Sequence, residues 1–487
     1  MWSRLFKLST ERKVSYQRQL REMIVSAILD DKLPLEIPLP SSRELAKHLG
    51  IARNTVVLAY QQLIDEGYLE SRERSGYYID KTMLNGRVKI NPTLNQNKSE
   101  PDWDSHIKFR PSQQRNIVKP IDWKKYQYPF LFGQLDPALF PISDWRDCCR
   151  QALSVSDILD VTPDRIDTDD PLLIEQIQAR ILPRRGVWAS RDEILITMGA
   201  QQALYILADL LINKDSRIGI ENPGYADARN IFSLKSPQVV PLEVDENGVI
   251  PGKKVNSCEF VYITPSHQSP TTVTMPIERR QQLLKDAEKH DFLIIEDDYE
   301  SEINFVSEPT PALKSLDNEN RVIYVGSLSK TLAPGLRIGY MVAPRALIEE
   351  ARALRRLMVR HPPANNQRLV ALFLSMGHHD SLIHRLSQTY QERWKVMGDA
   401  LNRCLPESSR IPSFGGTSYW VKGPEQLDTR ELKKKAREAS ILIEPGDICF
   451  MQPNPPQNFF RLGYSSIAVK KIEPGIKKLA DLIHKMI

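Results

Sequence analysis

Apolar positions change their spacing along this chain. Between residues 14 and 67 they recur at helical intervals, with Leu20, Ile24, Ala27 and Ile28 on one face of a first predicted helix over 14–29. Leu45, Ala46 and Leu49 form the buried face of a second, and Val56, Val57, Tyr60, Leu63 and Ile64 the stripe of a third. Ser41 and Glu44 have capping-box spacing, Gly50 ends the second helix and Gly67 the third. Two short helices across a tight glycine-containing turn predict a helix-turn-helix, and Tyr68–Ser71 and Tyr77–Ile79, around a polar tip at Arg72–Gly76, predict a wing. Helical period alone equally allows a three-helix packing module.

Residues 81–120 show no apolar period and are rich in Asn, Gln, Pro and Lys, which predicts a flexible linker. Beyond it the pattern becomes continuous short apolar runs, among them Ile194–Ile196, Val261–Ile263, Phe292–Ile295 and Val322–Val325, as buried strands of an α/β sheet require. The expected division is therefore 1–80, 81–120 and 121–487.

A chain of 487 residues exceeds what one core usually fills, which agrees with that division. The net charge of +5 is concentrated in the linker, where 8 Lys+Arg face 3 Asp+Glu; beside a DNA-binding neighbour such a stretch can add phosphate contacts. No apolar run approaches a membrane span, and Met1–Lys7 lacks a signal-peptide core, so a cytoplasmic protein is expected. Five cysteines without a C-x-x-C pair indicate neither a disulfide framework nor a zinc site.

Two stretches carry candidate chemistry. Ser327, Ser329, Lys330 and Arg337 lie on the loop leaving the Val322–Val325 run, where α/β folds place ligands. An amine flanked by hydroxyls, with an arginine seven positions on, suits an aldehyde cofactor that carries a phosphate. Upstream, Phe292–Ile295 ends in Glu296, Asp297, Asp298 and Tyr299, a carboxylate cluster that needs a positive partner such as a protonated pyridine nitrogen. Gly199, Ala200 and Gln201 open a helix after a strand and form a candidate phosphate cradle.

Together these motifs resemble the fold-type I, aspartate-aminotransferase-like pyridoxal phosphate proteins. The resemblance implies a mostly parallel sheet with helices on both faces, a small C-terminal α+β subdomain entered by a long helix after Arg360, and a homodimer. It makes Lys330 the Schiff-base lysine, Asp297 the ring-nitrogen partner, Tyr299 the donor to the ring's phenolic oxygen, Tyr225 the stacking aromatic and Arg461 the clamp for a ligand carboxylate. The chain departs from that pattern at two places. Asp167–Asp170 stands where a Tyr-Gly segment reaches the neighbouring subunit's phosphate, adding negative charge there. An Asn that bonds the phenolic oxygen is missing from the stretch ending Ser269-Pro-Thr-Thr272, and His267 or Gln268 is expected to replace it. A metal role for His267 lacks a second histidine at ligand spacing.

The N-terminal segments Leu39–Ala46, Arg53–Val56, Ala59-Tyr60 and Glu66–Leu69 resemble the GntR-type winged helix. That implies that Arg43, Arg53, Asn54 and Thr55 face DNA and that Arg74, Ser75 and Gly76 touch its backbone or minor groove. Arg74 replaces the first glycine of the usual Gly-Ser-Gly tip. The two halves in one chain, with the Ser266-His267-Gln268 segment, resemble the MocR-type branch, which implies a regulator sensing an amino-acid-like amine through the cofactor. An aminotransferase with an attached DNA-binding domain, and a dimerisation domain that has lost its cofactor, remain as alternatives.

Overall fold

The computed structural model describes residues 6–9, 14–73, 75–84, 101–300, 302–305, 310–406, 408 and 415–487. They divide into two compact units, residues 1–108 and 109–487.

In the first unit, helices α1 (Tyr16–Leu29), α2 (Ser42–Leu49) and α3 (Arg53–Asp65) enclose a core of Leu20, Ile24, Leu45, Val56, Tyr60 and Leu63. The capping box forms as its spacing predicts: the Ser41 hydroxyl accepts from the Glu44 N–H and the Glu44 carboxylate accepts from the Ser41 N–H. Gly50 ends α2 in the left-handed conformation. Strands β1 (Leu69–Arg72) and β2 (Gly76–Ile79) pair antiparallel as the wing, tied back where the Leu39 N–H donates to the Tyr77 carbonyl.

The second unit is built on an eight-stranded sheet. Its strands are β3 (Ile194–Thr197), β4 (Ile218–Asn222), β5 (Val239–Asp245), β6 (Gly248–Val249), β7 (Phe260–Ile263), β8 (Leu293–Asp298), β9 (Val322–Ser327) and β10 (Gly339–Val342). Their spatial order is β3-β10-β9-β8-β7-β4-β5-β6. Neighbours from β9 through β8, β7 and β4 to β5 are parallel, and β10 lies antiparallel between β9 and β3. Six strands therefore point the same way, and β3, β4, β7, β8 and β9 end at one edge, where open α/β sheets bind ligands. The second unit also contains a three-stranded sheet of β11 (Ser418–Lys422), β12 (Glu444–Pro445) and β13 (Phe459–Gly463).

Two expectations change here. The run from Arg360 to Leu401 forms two helices, Ala364–Ser375 and His378–Cys404, because Gly377 breaks it at φ 76°. The expected linker behaves in two parts: residues 85–100 lie outside the described residues, while 109–120 group with the second unit and pack on it through long-range hydrogen bonds.

Candidate functional site

In the first unit, Arg43 lies exposed in the first turn of α2, and Arg53 and Asn54 lie exposed in the first turn of α3 with Thr55 half-buried beside them. Arg53 Nε reaches the Ser42 hydroxyl at 3.4 Å, which ties the two helix starts together. Ser75 and Gly76 are exposed on the wing, and the Ser75 and Tyr78 hydroxyls meet at 2.9 Å. The Arg72 guanidinium stacks 4.2 Å above the Tyr78 ring. Arg74 lies outside the described residues.

In the second unit, the converging strand ends enclose a cavity of about 300 Å³. Strand β8 sorts its carboxylates by parity, since alternate side chains point to opposite faces. Glu296 accepts the Leu313 and Lys314 N–H groups, both at 2.8 Å, and Asp298 pairs with Arg185 at 2.8 Å. Against its burial, Arg185 holds the Asp298 carboxyl below its ordinary range. Only Asp297, on the opposite face, lines the cavity. The expected cluster is thus one site carboxylate and two structural ones, and internal arginines or backbone amides serve the latter pair.

One Asp297 oxygen accepts from the Tyr262 hydroxyl at 2.8 Å. The other, Oδ1, is buried and has no hydrogen-bond partner among the described residues. Burial raises this carboxyl to about 7, with Tyr262 opposing. Lys330 stands in the same cavity with its ammonium 4.4 Å from the centre of the Phe132 ring. Burial first, and the Lys119 charge second, lower it to about 8. Gly133, at φ 64°, makes room for it, since a Cβ there would come within 2.9 Å of Lys330 Nζ.

At another wall, Gly199 at φ 80° precedes helix Ala200–Leu211; in its first turn the Gln202 N–H donates to the Gly199 carbonyl at 3.2 Å, while the Ala200 and Gln201 amides begin the helix, where no preceding turn supplies acceptors. A Cβ on Gly199 would press to 2.8 Å on the Arg337 guanidinium, which donates to the Met198 carbonyl at 3.1 Å. Arg337 itself takes the left-handed backbone conformation, φ 54°. Ala200, Gln201, Ser327, Ser329 and Arg337 line the cavity together. The Ser329 hydroxyl is already engaged with Ile338, accepting from its N–H at 2.9 Å and donating to its carbonyl at 3.1 Å. Tyr225 also lines the cavity, its hydroxyl donating to Asp227 at 3.1 Å.

Neither His267 nor Gln268, expected in place of the missing Asn, lines the cavity. Ser269 lines the cavity and interacts with the Tyr299 hydroxyl. Gln268 turns away to Glu221 and the Pro223 carbonyl. His267 stands behind Tyr299, its ring centre 6.1 Å from the tyrosine's, with Nε2 3.2 Å from the Glu300 carboxylate. Burial lowers His267, with Glu300 opposing. The carboxylates of Asp169 and Asp170 are likewise spent on arginines: Asp169 on Arg352 and Arg355, Asp170 on Arg368.

Arg461 lines the cavity 3.9 Å from the Phe132 ring centre and is paired with buried Glu444, through Nε at 2.9 Å and Nη2 at 2.8 Å. Lys119 and Glu444 carry no signal in their immediate sequence, because long-range packing brings Lys119 to the cavity and Glu444 to Arg461. No grouping of side chains able to hold a metal ion occurs among the described residues.

The donor set fits pyridoxal phosphate. It offers an unpartnered buried carboxylate oxygen for a pyridinium, a lysine for an aldehyde, and a glycine-led helix start beside an arginine for a phosphate.

Comparison with known proteins agrees. Residues 165–479 match the family described as aminotransferase class I and II, and residues 16–79 match bacterial regulatory proteins of the gntR family. The chain is 42% identical over 466 residues to the HTH-type transcriptional regulator TauR of Rhodobacter capsulatus, covering 96% of each. It is 31% identical to the probable rhizopine catabolism regulatory protein MocR of Rhizobium meliloti, over 97% of this chain and 94% of that one. Among solved structures it resembles LysN, an α-aminoadipate aminotransferase from Thermus thermophilus complexed with N-(5'-phosphopyridoxyl)-L-leucine. The TM-score is 0.69 and the identity 26%, over 79% of this chain and 98% of that one.

Proposed function

The chain belongs to the gntR-family regulators that carry a class I and II aminotransferase domain, and from that premise we propose that it senses an amino-acid-like amine in its second unit and alters DNA binding by its first. DNA is the partner of the winged helix, and pyridoxal phosphate is the cofactor of the aminotransferase-type domain. No helix among the described residues is long and apolar enough to cross a membrane. A DNA operator as partner supports a cytoplasmic location.

The observation that carries the reading is the unpartnered Asp297 Oδ1 facing the cavity that also holds Lys330. Asp297 would keep a proton on the cofactor's ring nitrogen, and Tyr299 with Ser269 would hold the phenolic oxygen. Gly199 to Gln201, Ser327, Ser329 and Arg337 would hold the phosphate, and Tyr225 the ring face. When bound, the cofactor supplies an aldehyde that condenses reversibly with primary amines, and a ring that withdraws electrons. Lys330, lowered to about 8, keeps a neutral fraction of its amine near neutral pH and so acts as a nucleophile. Phe132 covers the amine and excludes water, while Arg461 receives the ligand's acid group.

Ligand occupancy shifts DNA affinity only so far as the ligand prefers one arrangement of the protein. A second copy of the chain is a further partner in this reading, giving two winged helices and a two-part operator. The test follows visible absorption of the cofactor-loaded protein during titration with amines, with a keto acid present, product assayed and operator binding measured in parallel. Spectral change with altered DNA affinity and no sustained product is expected. Sustained product with DNA binding unaffected would make the protein an aminotransferase.

A further inference from the structure

Residues 111–119 cross the surface beside the cavity with only one turn of helix, and side-chain bonds to distant elements hold them there. Asn230 donates to the Arg115 carbonyl at 3.0 Å and to the Asn116 side chain at 2.8 Å. Arg115 donates to the Asp447 carbonyl at 2.7 Å and its carboxylate at 3.0 Å. The strap ends with Lys119 in the cavity wall.

Lys119 is a costly residue to place there, and burial lowers its ammonium from the ordinary lysine range. Its three N–H donors find little: the Phe132 carbonyl accepts one, and the nearer Glu444 oxygen stands at 3.4 Å. This long contact with Lys119 is the one polar contact of that oxygen, Oε1, among the described residues. The other Glu444 oxygen is committed to Arg461. Two cations thus share this one carboxylate. The next carboxylate along the wall, Asp227, already accepts from Tyr225. Arg461 keeps its Nη1 edge, because Glu444 occupies Nε and Nη2. A ligand anion here can satisfy both Lys119 and that edge.

We propose that Lys119 is a specificity-determining residue: with Arg461 it forms a two-cation subsite for the acid group of the amine ligand, with Glu444 as the resident counter-ion that the acid group relieves. The proposal rests on the amine-sensing reading above. Amines that carry an oxyanion are selected over plain alkylamines, because only an oxyanion completes the bonds of this half-buried ammonium.

The test is titration of the pyridoxal phosphate-loaded full chain, followed by visible absorption, with L-alanine, β-alanine and L-glutamate, and with ethylamine and propylamine as acid-free controls. Lys119→Gln is expected to raise the half-saturating concentration of the responding acids, relative to that of the alkylamines, about 10- to 100-fold, the range for a lost charged hydrogen bond; its effect through the Lys330 amine falls on acids and alkylamines alike and cancels in that ratio. Lys119→Arg, which keeps the charge, is expected to recover most of the loss. Equal effects on acids and alkylamines, or no effect on either, would overturn the proposal while the amine-sensing reading stands. A wild-type spectrum unmoved by every probe sinks both.

Discussion

Glu444 lies 2.8 Å from Arg461, which lines the cavity, each buried, on neighbouring strands β12 and β13 whose register sets these two residues opposite one another. The arginine expected to grip a ligand is thus never an isolated buried charge. Removing its carboxylate leaves Arg461 and Lys119 together without a counter-ion. Glu444→Gln should therefore destabilise the ligand-free protein by about 3 kcal/mol. Differential scanning calorimetry is the measurement, and a carboxylate ligand should restore part of the loss. Although burial opposes it, Arg461 and Lys119 hold Glu444 below its ordinary value of 4.5. The pair's contribution is accordingly present above that value and lost as pH falls through the lower folded one.

Asp297 predicts the opposite pH dependence for the cofactor-free protein. Its carboxyl, raised to about 7 from 3.8, holds its proton longer in the folded state, so its contribution to stability falls as pH rises between those values. Asp297→Asn should flatten that part of the stability curve and gain roughly 2–4 kcal/mol at pH 8, given about 1.4 kcal/mol for each pKa unit. Cofactor retention on dialysis should drop in the same variant. Urea unfolding at several pH values would show the first effect; an unchanged curve would refute it.

Lys330 at about 8 implies that cofactor capture quickens with pH. The neutral fraction of such an amine rises about tenfold from pH 7 to pH 9, and the rate of cofactor loading in stopped-flow absorbance should follow it. In Lys119→Ala the neighbouring charge is gone and the inflection should move to higher pH. Lys330→Ala should bind DNA as the wild type does but lose both the visible band and any response to amines.

On DNA, Arg53→Ala and Asn54→Ala should weaken binding to the protein's own operator. A base-edge contact costs about 1–3 kcal/mol and relaxes specificity at one position, whereas a phosphate contact weakens all sequences alike and lowers the salt slope by about one. Fluorescence anisotropy at several salt concentrations separates the two. Ser75→Ala on the wing tests the tip, and unchanged binding there would remove the wing from the interface.

Much of this was legible in the residues. The helices of the first unit and the buried strands of the second follow from apolar period, and Lys330, Asp297, Tyr225, Arg337 and Arg461 do line one cavity. What escaped reading depends on distance in the chain. Lys119 sits in a stretch with no period and gains its place from bonds to residues over a hundred positions away. Glu444 reads as an ordinary strand residue until β13 lies beside it. The exchange of His267 for Ser269 at the cavity wall turns on which of neighbouring side chains points inward after a strand has ended, where period no longer decides.

The alternation along β8 also limits how this protein can vary. Inserting or deleting one residue within Leu293–Ile295 would turn Glu296 and Asp298 toward the cavity and carry Asp297 to the face where Arg185 and Arg280 neutralise acids. Such a change would move two structural charges and the site charge in one step. Length in this strand is therefore locked, and drift is confined to replacing side chains in place.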